Sequence, residues 1–165
     1  VGLNTIVAKC GLFIFGISAK VVNFRNILAD IGDNQSLIMN LSTFSSHILN
    51  IKNILEISDL NTMVILDEIG TGTEPVEGAA LAVGVLKRLE EKGAKVIVTT
   101  HFYEIKNYAL KKGNAEIYSV DFNYLTFISS YKLLKGVVGK SSPIIISKKL
   151  GFYEKAVLIA EGYMK

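Results

Sequence analysis

The sequence predicts an α/β protein: a largely parallel sheet with helices on both faces and a β-hairpin towards the carboxyl end. Three observations carry that expectation. Met63, Val64, Ile65 and Leu66 run without alternation into Asp67 and Glu68, as a strand buried on both faces reads when it delivers polar groups at its carboxyl end. Lys95 to Thr100, KVIVTT, is a second run of that type and leads into His101. Around both runs, apolar residues recur at helical spacing, as the crossovers between parallel strands require.

In chain order, Leu3, Ile6, Val7 and Cys10 share a helical stripe, and Gly11 is a natural stop. No Ser, Asp or Pro cap precedes Val1, so the sequence is expected to open inside a helix. Leu12 to Ile17 and Val21 to Ile31 read as two strands, the second running into the turn-rich Asp30, Ile31, Gly32 and Asp33. From Leu41 the period becomes helical: Phe44, Ile48, Ile51, Ile54 and Leu55 fall on one stripe, with Ser42 or Thr43 placed to cap the first turn. After Glu68, the loop Gly70, Thr71, Gly72, Thr73 leads to Pro75 at a helix start, and Ala79, Ala80, Val83, Leu86 and Leu89 are expected to line the inner face before Gly93 ends the helix. A helix from Tyr103 to Leu110 follows, then a hairpin of Ala115–Phe122 and Thr126–Leu134 around Asn123-Tyr124. Pro143 opens a helix to Leu150, and a last helix starts at Tyr153.

The totals set limits. The 165 residues suffice for one domain with a sizeable core. Half of them are hydrophobic and the mean hydropathy is +0.38, so either both sheet faces are covered or a large surface is meant for a partner. A formal charge of +3 with no dense Lys/Arg run is too little for a non-specific grip on nucleic-acid phosphates, so any DNA contact is expected outside this chain. The single cysteine, Cys10, excludes an internal disulfide, suits a reducing cytoplasm and is expected to pack in the core. Gly11 to Ala19 is too short to span a bilayer and is closed off by Lys9 and Lys20, so no membrane association is expected. There is no internal repeat.

The chemistry concentrates where the apolar runs end. Open parallel sheets keep ligands at the carboxyl ends of their strands. Strand residues alternate in direction, so Asp67 is expected to face a magnesium ion and its waters, and Glu68 an attacking water. That division suits nucleotide hydrolysis, in which positioning and charge neutralisation supply most of the catalysis. The same pattern also fits a buried strand ending in two solvated acids. Were the two runs neighbours in one sheet, His101 would join Asp67 and Glu68 on one edge. Ser42 and Thr43 at a helix start favour an anion, or form an ordinary cap. Gly136 to Ser142, GVVGKSS, contains Gly-Lys-Ser, but a P-loop needs a Gly where Leu134 stands, so this is read as a turn and cap.

With these residues in view, the chain resembles the nucleotide-binding domain of the MutS family, within the ABC-type, P-loop-like ATPases. It is most similar to the second MutS branch, whose full-length members carry a C-terminal Smr nuclease domain and act on recombination intermediates or stalled ribosomes. The matching stretches are ADIGDNQS, LSTFSSHI, VILDEIGTGTEPVEGAALA, VTTHFYEIK and GVVGKSSPIIISKKLGF. They occur in family order and cover nearly the whole chain. The resemblance implies that Asp67 is the Walker B aspartate holding magnesium through water, Glu68 the general base and His101 the switch histidine sensing the γ-phosphate of ATP. It implies further that Gln35 lies in a Q-loop, that Gly70, Thr71 and Gly72 belong to a loop crossing a homodimer interface, and that Ser42 and Thr43 form the signature reaching the partner's nucleotide. Branched or mismatched DNA, or the ribosome, would be engaged by regions outside this chain. The family's Walker A motif is not among the 165 residues and would end just ahead of Val1. The reading is therefore of an N-terminally truncated ATPase domain over residues 1–165, expected on its own neither to bind ATP tightly nor to turn it over. Two alternatives stand beside it: a non-catalytic remnant serving as a dimerisation module, and a transporter ATPase, which LSTFS disfavours because it lacks the paired glycines of LSGGQ.

Overall fold

The computed structural model describes residues 1–32, 43–123, 126–139 and 143–163, which fall into two compact units, Val1–Tyr108 and Ala109–Lys165. In the first unit, β1 (Asn26–Asp30), β2 (Thr62–Leu66) and β3 (Lys95–Val98) form a parallel sheet in the order β1-β2-β3. Helix α2 (Thr43–Ile57) connects β1 to β2, and α3 (Pro75–Glu91) connects β2 to β3. Asp30 pairs with Leu66 and Leu66 with Val98, so all three strands reach their carboxyl ends at one level. Val64 and Leu66 point to the face that packs with Ile51 and Ile54 of α2 and with Val85 and Leu89 of α3. Burying each such Val or Leu side chain is worth roughly 1.5–3 kcal/mol, which makes β2 the best-anchored strand. On the other face Gly2 of α1 (Gly2–Lys9) lies so close to Ile65 and Ile27 that a Cβ there would sit 2.7 Å from Ile65 Cδ1. Helices thus cover both faces, as the unbroken apolar run of β2 requires.

Helix α3 begins as its sequence suggests, with Pro75 in its first turn, and Glu74 caps it by accepting a 2.8 Å hydrogen bond from the Glu77 amide. Its buried stripe is Gly78, Ala79, Ala82, Val85, Leu86 and Leu89, rotated from the expected one. Ala80 is exposed and Val83 half-buried. The rotation follows from a backbone contact. A Cβ at Gly78 would lie 2.2 Å from Gly70 O, and one at Gly70 2.5 Å from Gly78 O. Only two glycines let the loop after β2 touch the helix, and that contact sets which side of α3 faces inward.

Four further expectations are corrected. Leu12–Ile17 is not a strand; Phe13, Phe15 and Ile17 are fully exposed, and a strand needs a partner ladder, which this segment lacks among the described residues. The next strand starts at Asn26 rather than Val21, where Arg25 and Asn26 first bond to the Asn61 carbonyl. Cys10 is exposed at the end of α1, because the buried side of this short helix is the one carrying Gly2 and Thr5. Strand β3 alternates exposed and half-buried residues instead of being covered on both faces; among the described residues it pairs with β2 alone and forms an edge of the sheet.

The second unit holds an antiparallel hairpin, β4 (Tyr118–Asn123) and β5 (Ile128–Lys135), with a bulge between Val120 and Phe122. Helices α5 (Pro143–Lys149) and α6 (Glu154–Tyr163) follow, tied by a 2.6 Å Lys148–Glu161 ion pair. Helix α4 (Tyr103–Lys112) spans the boundary between the units. Pro143 opens α5 as expected, whereas Lys140, Ser141 and Ser142 of the Gly-Lys-Ser stretch lie outside the described residues. Among the described residues no helix is long and apolar enough to cross a membrane.

Candidate functional site

Asp67 and Glu68 leave the carboxyl end of the central strand, both exposed. The sheet holds the chain one residue past the end of β2 on each side: the Asp67 amide donates to the Asp30 carbonyl at 2.8 Å, and the Thr99 amide donates to the Leu66 carbonyl at 3.0 Å. Thr99 then does more with its side chain. Its hydroxyl donates to Asp67 Oδ1 and accepts from the Glu68 amide at 3.0 Å, so one residue of the neighbouring strand orients both the carboxylate and the following peptide.

Glu68 turns away from strand geometry, with φ +47°. The alternation that would send Asp67 and Glu68 to opposite faces therefore stops at Asp67, which corrects the strand argument for Glu68. A left-handed conformation costs a non-glycine residue roughly 1–2 kcal/mol. Such strain concentrates where a side chain's direction matters more than its comfort.

A cleft of about 80 Å³ opens beside these acids, lined by Asp30, Phe44 and His47 as well as Asp67, Glu68, Gly70 and Thr71. Gly72 does not line it but lies beside one of its walls: its φ is +83°, and a Cβ there would sit 3.7 Å from Phe44 Cβ. His101 leaves the same carboxyl edge, three residues beyond β3, but it does not line this cleft. It is exposed, its ring centroid 4.6 Å from that of Phe102. The structure thus gathers Asp67, Glu68, Gly70 and Thr71 and sets His101 apart on their side of the sheet. Gln35 and Ser42 lie outside the described residues, as does the Thr43 side chain; Thr43 itself is the first residue of α2, whose opening turns carry Phe44 and His47 into the cleft.

Three contributors escaped the sequence reading: Thr99, the Asp30–His47 pair and Asn50. Asp30, buried at the end of β1, accepts from His47 Nδ1 at 2.8 Å and from Asn50 Nδ2 at 2.8 Å. The available signals were an acid closing a strand and two polar residues three apart on a helix. Neither says which residue across the sheet it will meet.

Magnesium is compatible with this donor set in one way only. Among the described residues no group of three or more His, Cys, Asp or Glu could cage a metal. Magnesium typically keeps several waters and takes one or two carboxylates together with substrate phosphates. Asp67, exposed and fixed by Thr99, fits that role of a single carboxylate.

A parallel sheet with adjacent acids at its carboxyl edge, beside a cleft walled by two crossover helices, defines an open α/β domain, a class of sheet in which ligands are generally met at that edge. The chain belongs to the MutS family: MutS domain V, a P-loop ATPase domain, matches residues 1–165. It is similar to Endonuclease MutS2 of Clostridium botulinum (strain Eklund 17B / Type B), 47% identical over 165 residues, covering 99% of this chain and 21% of that protein. It is also similar to Endonuclease MutS2 of Clostridium novyi (strain NT), 50% identical over 152 residues, covering 92% of this chain and 19% of that protein. The chain spans about one fifth of the length of these curated relatives.

Proposed function

We propose that this chain supplies the hydrolytic edge of an ATPase site in a dimeric, DNA-binding MutS2-type protein that acts in mismatch repair or in restraining recombination. In this reading Asp67 holds magnesium through water, and Glu68 orients a water and takes its proton as the oxygen attacks the γ-phosphorus and the bond to the bridging oxygen breaks. Magnesium bound there would offset the negative charge of the phosphate oxygens. His101 senses the γ-phosphate from the same edge, and Gly70, Thr71 and Gly72 shape the loop beside it. Gln35, Ser42 and Thr43 contribute from the turn and the start of α2, the last two towards the nucleotide of a partner subunit. DNA is met outside these residues.

The observation that carries this reading is the pair of adjacent, exposed carboxylates at the end of β2, one oriented by Thr99 and the other in a strained backbone, both lining one cleft. In the full-length protein, Glu68→Gln should slow ATP hydrolysis by about 10²- to 10⁴-fold, the usual worth of a general base, while ATP still binds. Unchanged turnover would remove Glu68 from that role. A second reading, a dimerisation module without catalysis of its own, draws on one feature. Residues 1–165 contain no Gly-x-x-x-x-Gly-Lys-Ser/Thr, whose backbone and Lys hold the β- and γ-phosphates in P-loop enzymes. We therefore propose that phosphate-holding groups outside residues 1–165 complete the site.

A further inference from the structure

Asp30 is the only buried carboxylate among the described residues, with 2% relative exposure. A carboxylate in that position is costly unless paired and hydrogen-bonded on both oxygens. Both are satisfied by α2. His47 Nδ1 lies 2.8 Å from Oδ2, and in the tautomer with the hydrogen on Nδ1 the imidazole donates to the carboxylate. Asn50 Nδ2 donates to Oδ1 at 2.8 Å and also to the Ala29 carbonyl at 3.0 Å. His47 and Asn50 stand three residues apart and so share one face of the helix. The main chain of Asp30 meanwhile faces the other way in the network, its carbonyl accepting the Asp67 amide at 2.8 Å. One residue therefore joins two walls of the cleft, the opening turns of α2 and the strand end that bears the two acids.

We propose that Asp30, gripped by His47 and Asn50, is a positioning residue for nucleotide hydrolysis, fixing the start of α2 and the main chain of Asp67 in one arrangement. The inference rests on the ATPase reading of this cleft and adds to it a residue trio that acts without touching the reacting atoms. Thr99 secures Asp67 from the β3 side through its carboxylate; Asp30 secures it from the β1 side through its amide. The grip also makes any nucleotide contact from the start of α2 depend on the same geometry that sets the acids, because misplacing a catalytic element by about 1 Å can cost of the order of 10²-fold in rate.

The test uses the full-length protein with His47→Leu, His47→Asn and Asn50→Leu, and Glu68→Gln as a control. Leu removes the donor, whereas the Asn side-chain amide can place an N–H near the position of Nδ1. His47→Leu should lower kcat roughly 10- to 100-fold with KM for ATP little changed, since ground-state binding is not what it removes. His47→Asn should restore most of kcat, and Asn50→Leu should fall between. Amide hydrogen exchange at Asp67 should speed up about tenfold or more in His47→Leu, the worth of a hydrogen bond to a charged group, with exchange at Val98 unchanged. If Glu68→Gln abolishes turnover but His47→Leu does not alter kcat, the positioning role is overturned while the ATPase reading survives. If Glu68→Gln leaves turnover intact, Glu68 is removed from the role of base while His47→Leu still decides the positioning role; absence of ATP turnover in the unsubstituted full-length protein would overturn the ATPase reading, and the positioning role with it. Unchanged exchange at Asp67 in both His47→Leu and Asn50→Leu would overturn the coupling of α2 to Asp67 whatever the turnover shows. Equal loss of kcat in His47→Leu and His47→Asn would likewise overturn the role assigned to the Nδ1 hydrogen bond.

Discussion

The two ends of β2 each carry an aspartate beside a threonine hydroxyl, and they use them in opposite ways. At the amino end, Asp59 Oδ1 accepts from the Asn61 amide at 2.9 Å and from Thr62 Oγ1 at 2.8 Å, while the Asp59 amide donates back to Thr62 Oγ1 at 3.0 Å. Arg25 stands 3.5 Å from the remaining oxygen. The turn closes on itself, and Thr62 is completely buried. At the carboxyl end, Asp67 has one side-chain partner among the described residues, Thr99, on a neighbouring strand, and Glu68 pays out its backbone comfort in a left-handed conformation. An acid with both oxygens engaged, one within its own turn and one beside Arg25, belongs to the architecture. An acid held by one oxygen and left facing solvent is available to a ligand.

That contrast predicts a double dissociation, which is also the largest effect expected. In the full-length protein Asp67→Asn should reduce ATP turnover by about 10²- to 10³-fold, as removal of one electrostatic contact to a developing charge does, with the urea midpoint nearly unmoved. Asp59→Ala should lower the urea midpoint and leave turnover unchanged. Reversal of either arm would break the comparison.

A smaller effect sharpens it. Glu68→Gly should raise unfolding stability by up to about 1 kcal/mol, because glycine adopts φ +47° without strain and gives back part of the gain as unfolded-chain entropy. The same change removes the proposed base, so stability and turnover should move in opposite directions. Chemical denaturation and a phosphate-release assay on one preparation read both.

The smallest effect concerns pH. The Asp59 carboxyl lies below its ordinary value of 3.8, first through the hydrogen bond from Thr62, then through the Asn61 amide, with Arg25 and Lys92 adding attraction. A folded-state value below the unfolded one means that the contribution is fully present above about pH 4 and is lost as pH falls through the lowered value. Asp59→Asn should therefore flatten the acid limb of a stability–pH curve below pH 4 and leave the neutral region's slope as it was. An unaltered acid limb would show that the turn does not depend on the carboxylate charge.

Much of this was legible in the sequence for a local reason. Met63 to Leu66 could only be comfortable with cover on both faces, and Gly93 and Pro75 mark the helix ends because of what their backbones allow and forbid. The illegible parts each depended on a distant partner. The run Leu12–Ile17 has the composition of a strand, yet no ladder forms beside it among the described residues, and β propensity without a neighbour has nothing to act on. The stripe on α3 turned because Gly70 meets Gly78, a contact between backbones that helical periodicity does not record. Glu68 was assigned by alternation, and alternation ended one residue too early.

The order of elements, the β-α-β-α-β rhythm and the arrival of Asp67 and Glu68 at a strand's carboxyl end were determined by residues within a few positions of one another. Spacing of two, three or four is enough to state which face a side chain prefers. Which partners those side chains meet was decided only by tertiary structure: Thr99 reaches Asp67 from 32 residues away, and His47 reaches Asp30 from 17. Such meetings are set by strand register and by how a helix sits on a sheet. Those are properties of the assembled layers, so the acids could be found in the sequence while the residues that hold them in place could not.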